Sequence, residues 1–231
     1  MPAVDPKLWQ LAVDDEFDSG KLDPAVWWAP YDGVPGIAGV GTRRGSLCTF
    51  RNGELVISAE RPNANDTNYD DWFSTGVAMG PQAQTYGRRE IEASASDGPG
   101  FWPNLQLWPT DEKWPINIEF DIFESPIGTR DVGYATVHYG SNNTQKSWTY
   151  KANFNAMNTW IVEVDSERHR GVLQRNQRCN CAQGTDAYDA SPLRRSDGHG
   201  LMGGQADEQG PDPYGDDPGP RGAVEVRRLK P

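Results

Sequence analysis

Glu119-Phe120-Asp121-Ile122-Phe123-Glu124 puts three carboxylates into six residues. Side chains of an extended strand alternate between faces, so Glu119 and Asp121 share one face while strict alternation sends Glu124 to the other. A single β-bulge adds a residue without a step of alternation and returns Glu124 to the face of its neighbours. Two carboxyl groups held about 5 to 5.5 Å apart can run a double displacement at an acetal carbon. One attacks the carbon, while the other protonates the leaving oxygen and then activates water. With a bulge, Glu119 and Glu124 stand about four strand steps apart, on the order of 13 Å between α-carbons, and long side chains can lean inward from there. Asp121 then shares a proton or hydrogen bond with Glu119, and the two negative charges raise the proton affinity of Glu124. A solvated strand face with acidic residues by chance is the competing reading of this motif, equally compatible with the six residues alone.

The elements that must hold these groups are strands. Glu54 to Ala59, Arg89 to Ala93, Ile118 to Phe123, Tyr134 to Tyr139 and Trp160 to Val164 each alternate or are rich in β-branched and aromatic residues. Gly, Pro, Asn and Asp separate them, and no segment repeats apolar residues at helical spacing, so helices are expected to be few and short. Short strands at this spacing predict an all-β sandwich, and 231 residues suit a single domain.

Nine Trp, 25 Gly and 18 Pro fit a turn-rich β protein, and a net charge of −11 argues against a nucleic-acid partner. No apolar run approaches the roughly 20 residues that cross a bilayer, and Met1 to Asp5 lack the features of a signal peptide. Cys48, Cys179 and Cys181 are too few and too unevenly spaced for a disulfide framework or a zinc site, so no metal site is expected.

Beyond Arg168 the composition changes: every Trp, Phe and Ile precedes it, and Gly, Pro, Asp and Arg fill the rest. Such a stretch buries little apolar surface, so 1–168 is expected to carry the fold and 169–231 to be a disordered or frame-shifted tail. Read one nucleotide out of frame with permitted codons, Gly171 to Arg175 becomes Gly-Tyr-Phe-Asn-Gly, and Leu193 to Gly200 becomes the apolar Phe-Val-Val-Gln-Thr-Ala-Met-Gly. Ala223 to Leu229 alternates again in the stated frame. The Asp-rich run Asp207 to Asp217 lacks the regular ligand spacing of a calcium loop.

Trp114-Pro115 precedes the acidic motif, and the whole resembles the E-x-D-x-x-E signature of glycoside hydrolase family 16, the laminarinase, lichenase, agarase and carrageenase group. Trp9 to Trp27, Leu55 to Arg61, Tyr86 to Glu90, Gly100 to Pro103 and Val137 to Gly140 resemble further landmarks of that family in order. The resemblance implies a jelly-roll, concanavalin A-like sandwich of two antiparallel sheets with an open concave cleft. It implies Glu119 as nucleophile, Asp121 as its assistant and Glu124 as acid/base, with Trp102, Trp114 and His138 lining the cleft against a polysaccharide. It also implies an extracellular protein, and a monomer with no nucleic-acid or membrane partner is expected. No cofactor is required by that chemistry; some family members carry a structural calcium, for which no decisive ligand set is found here. The sequence departs from the family at Ile118, where Gly is usual, and at Asn104 and Gln106, where Ala and Trp are common.

These observations point first to a retaining endo-hydrolase of β-linked polysaccharide, with β-1,3-glucan slightly favoured and galactans such as agar retained. A carbohydrate-binding sandwich without catalysis and a transglycosylase using the same carboxylates are the alternatives.

Overall fold

The computed structural model describes residues 10–36, 41–60, 72–98, 101–126 and 128–164, together with the backbone of four later strands. In chain order the strands are β1 (Thr42–Arg43), β2 (Cys48–Arg51), β3 (Glu54–Ala59), β4 (Phe73–Ser74), β5 (Gly76–Ala78), β6 (Gly87–Ala95), β7 (Phe101–Pro109), β8 (Glu119–Glu124), β9 (Val132–Tyr139), β10 (Thr144–Lys151), β11 (Asn158–Val164), β12 (His169–Leu173), β13 (Gln177–Cys179), β14 (Gly198–Ala206) and β15 (Gly222–Lys230). One turn of 3-10 helix, Gly45–Leu47, is the only helix among the described residues.

Two sheets make the jelly-roll sandwich expected from the alternating runs. One has the order β10-β9-β8-β7-β14-β5 and the other β13-β12-β11-β6-β15-β3-β2, with antiparallel pairing throughout both. The small parallel pair β1-β4 is a separate ladder, tied to the residue after β3 by the antiparallel Glu60–Phe73 bridge. Leu55, Ile57, Ile91, Ala93, Leu105, Leu107, Phe120 and Trp160 alternate inward from the two sheets into one shared core.

The five strands expected from the sequence correspond to β3, β6, β8, β9 and β11. Four strands come from the Gly- and Asp-rich segment after Arg168. β14 lies between β7 and β5, and β15 between β6 and β3. Of the re-read stretches, residues 174–175 and 193–197 lie outside the described residues, as do Cys181, the run 207–217 and positions 9, 61 and 100 of the resembling landmarks.

Candidate active site

The bulge in β8 has a local cause. Phe120 and Ile122 point into the core by alternation, and Phe123 is buried there as well, its ring 4.9 Å from those of Phe154 and Trp160. Two consecutive residues cannot both face inward on a regular strand. The register accordingly slips: on β7, Gln106 faces Asp121 while the adjacent Leu105 faces Phe123, so Ile122 is the extra residue. On β9, Asp121 pairs with Thr136 and Glu124 with Tyr134, with the same irregularity between them. Tyr150 Oη lies 3.2 Å from Ile122 O and 3.3 Å from Tyr134 O, offering a donor to the carbonyl that the bulge takes out of the ladder. An added Cβ at Gly133 would sit 2.4 Å from the Tyr150 ring, so the glycine leaves room for that clamp.

The strand end after Glu124 is fixed by Arg130, which is 1% exposed. Its guanidinium donates to the carbonyls of Ser125 (2.6 Å), Ser96 (2.9 Å), Gly98 (3.0 Å) and Phe101 (2.8 Å). The same cation therefore ties the residue following Glu124 to the start of β7.

Glu119, Asp121 and Glu124 meet electrostatically on the side of β8 away from Phe120 and Phe123. Glu119 and Asp121 are hydrogen-bonded to each other, and Trp114 Nε1 donates to Glu119 Oε2 at 2.5 Å. Burial, then the charge of Asp121, raises the Glu119 carboxyl to about 7 despite the Trp114 bond. Burial followed by the charges of Asp121 and Glu119 pushes Glu124 up to about 8. Both carboxyls are thus held above the ordinary carboxylate range by burial and by their acidic neighbours.

His138 faces Glu119 across the β8–β9 ladder, with its Nε2 3.2 Å from Asp121 Oδ2 and its Nδ1 2.9 Å from Asn143 Oδ1. The hydrogen bond to Asp121, opposed by burial and assisted by Asn143, raises the imidazole to about 9. At neutral pH it is a cation that donates to both partners. Ligand atoms of Glu119, Asp121 and His138 all lie within 4.8 Å of one another, close enough to share protons.

Of the three residues expected to line the cleft, Trp114 is 40% exposed and tilts against His138 with ring centroids 6.0 Å apart. Both stand beside the carboxylates. Trp102 shares the alternation of Asn104 and Gln106 on β7, and its buried indole nitrogen has no hydrogen-bond partner among the described residues. Trp108 stands outside the residues expected from the sequence; its ring stacks nearly parallel to Trp114 (6.2 Å, 8°) while its Nε1 donates to Glu112 at 2.7 Å. Counting by twos from Trp102 would have found it. Asn104 was noted only as a departure; its Nδ2 donates to Gln106 Oε1 at 2.5 Å and lies 3.4 Å from Asp121 Oδ1. Thr136 Oγ1, 3.5 Å from Glu124 Oε2, was not anticipated either.

No family model matches the chain. It is 33% identical over 146 residues to a β-glucanase of Rhodothermus marinus, across 56% of this chain and 48% of that protein. It is 30% identical over 169 residues to the endo-1,3-1,4-β-glycanase EglC of Rhizobium meliloti (63% and 36%), and 28% identical over 148 to a keratan-sulfate endo-1,4-β-galactosidase of Sphingobacterium multivorum (58% and 32%). The matches thus span half or less of the length of these relatives. The fold superposes on the laminarinase of Rhodothermus marinus with a TM-score of 0.76 at 25% identity, covering 96% of both chains. It superposes on the laminarinase catalytic domain of Thermotoga maritima with 0.75 at 21%, covering 96% and 97%. The bulged acidic strand, the glucanase relatives and this near-complete superposition make the chain similar to endo-β-glucanases and give it the jelly-roll fold of the laminarinases.

Proposed function

We propose that the chain is a retaining endo-acting hydrolase of β-linked polysaccharide, with Glu119 as nucleophile, Glu124 as acid/base and Asp121 as the group that orients Glu119. The observation that carries this reading is the bulge at Ile122, which sets Glu124 in the same electrostatic cluster as Glu119 and Asp121. Glu119 attacks the anomeric carbon as Glu124 protonates the departing oxygen; Glu124 then takes a proton from the water that releases the glycosyl group. Asp121 and protonated His138 hold the charge balance around Glu119. The scheme uses protein carboxylates alone.

Laminarinase neighbours and a β-glucanase relative support β-1,3-glucan as the reference linkage. A polymer too large to enter a cell fits an extracellular place of action. Transfer of the glycosyl group to a second sugar would use the same residues, and product analysis separates it from hydrolysis. We extend the proposal to the chain itself: 1–231 is a single catalytic domain in which 1–168 carries the family resemblance and 169–231 is a disordered or frame-shifted tail, a choice that sequencing the coding DNA around Arg168 to Gly171 decides.

The test is reducing-sugar release from laminarin, lichenan and agarose by the wild type and by Glu119→Gln. Release by the wild type and none by the variant is expected. Equal release by both would overturn the assignment, and binding without release by the wild type would favour a sugar-binding sandwich.

A further inference from the structure

We propose that Gln106 makes the sugar position beside Asp121 selective for a ring with an axial hydroxyl, so that a β-1,3-linked chain of galactose configuration is preferred over β-1,3-glucan. This rests on the hydrolase reading above and concerns only which sugar the site prefers.

Gln106 lies directly opposite Asp121 in the β7–β8 register and, like Asn104, is almost wholly buried at 7% exposure. The side chain at this position stands up from the sheet beside the carboxylates. An aromatic residue there, common in the family that this stretch resembles, would offer a π surface to the C–H face of a sugar. A carboxamide offers polar atoms instead, and a buried one left without a partner is costly.

Asn104 fixes which atoms are offered. Its Nδ2 donates to Gln106 Oε1, engaging the oxygen, and among the described residues Gln106 Nε2 donates to nothing. The group left to meet a sugar is therefore an N–H donor. A β-glucose ring carries its hydroxyls around its edge, so laid over Gln106 it presents C–H bonds and leaves the amide unsatisfied. A galactose ring turns O4 out of the ring face, where it accepts the Nε2 hydrogen. A 3-linked chain keeps that hydroxyl free, whereas a 4-linked one spends it in the glycosidic bond. The parallel Trp108 and Trp114 rings on the same side of the sheet supply the aromatic surface for a neighbouring sugar.

The experiment compares kcat/KM on β-1,3-galactan and laminarin oligosaccharides, which share a linkage and differ in configuration at C4, for the wild type, Gln106→Ala and Gln106→Trp. A wild-type preference for the galactan of about 10- to 100-fold is expected, the scale set by one satisfied or missing buried hydrogen bond. Gln106→Ala brings the ratio toward one and Gln106→Trp favours laminarin. A wild type that prefers laminarin, or a ratio unchanged in Gln106→Ala with its melting temperature retained, overturns the proposal while leaving the hydrolase reading intact. A wild type that cuts no β-linked polysaccharide overturns both.

Discussion

Among the described residues, two clusters of buried charge, one on each sheet, are built on opposite plans. On β6, Arg88 donates to Glu90 on its own strand and to Glu163 across the ladder on β11, so one cation meets two carboxylates at contact distance. On β8, three carboxylates are gathered with His138 as the nearby cation, and two of them are pushed far above the ordinary carboxylate range. Burial costs charge in both places. The first cluster neutralises that cost within the chain, whereas the second leaves carboxyl groups holding protons near neutral pH. A site that must donate and accept protons needs the second plan, and a site that only has to join two strands is served by the first.

Removing a member of each cluster should separate these roles. Glu124→Gln is expected to lower kcat on polysaccharide by about 10² to 10⁴, the usual share of a general acid/base. An aryl glycoside with a good leaving group should lose far less in the first step, read as a burst of released phenol. Arg88→Met should do the reverse: it strands Glu90, which is 3% exposed, and should cost about 3 kcal/mol in urea unfolding while leaving the activity of the folded enzyme unchanged. Equal losses of activity in both variants would erase the distinction.

The pH behaviour sharpens it. In the proposed roles Glu119 acts ionised and Glu124 protonated, so the rate profile should be a narrow bell with limbs near 7 and 8. Both groups have folded-state values raised above the unfolded ones. The folded protein therefore binds more protons, and the stability they contribute is complete below the ordinary Glu value and is lost as pH rises toward 8. Glu124→Gln should consequently raise the melting temperature more at pH 8.5 than at pH 4. A smaller effect is expected of Tyr150→Phe, which withdraws the donor from the bulge carbonyl: about 1 kcal/mol in stability, with a fall in kcat and little change in KM.

Much of this was legible in the residues. Alternation fixed β3, β6, β8, β9 and β11, and the pairing of Ile122 with Phe123 as consecutive core residues is the physical form of the bulge that the acidic spacing required. Ile118, flagged because Gly is usual there, has φ of 60°, a left-handed backbone that a β-branched residue adopts only under strain. Other parts depend on contacts made across strands. Nothing local in Thr144 to Lys151 reveals that β10 carries the tyrosine that serves β8, because that strand is largely exposed and polar. Arg130 reads in sequence as a surface cation, and only the fold brings four carbonyls around it. In the segment after Arg168 Ala223 to Leu229, within β15, alternates, whereas the residues of β14 show no such pattern although its backbone pairs with β7 and β5.

The most direct test traps the glycosyl group on the enzyme with a 2-deoxy-2-fluoro glycoside bearing a good leaving group, followed by mass spectrometry of the digested protein. The account predicts one added sugar, on the peptide at Glu119, and its slow loss when acceptor is supplied. A sugar attached to Glu124, or turnover through an inverted product with no adduct, would contradict it.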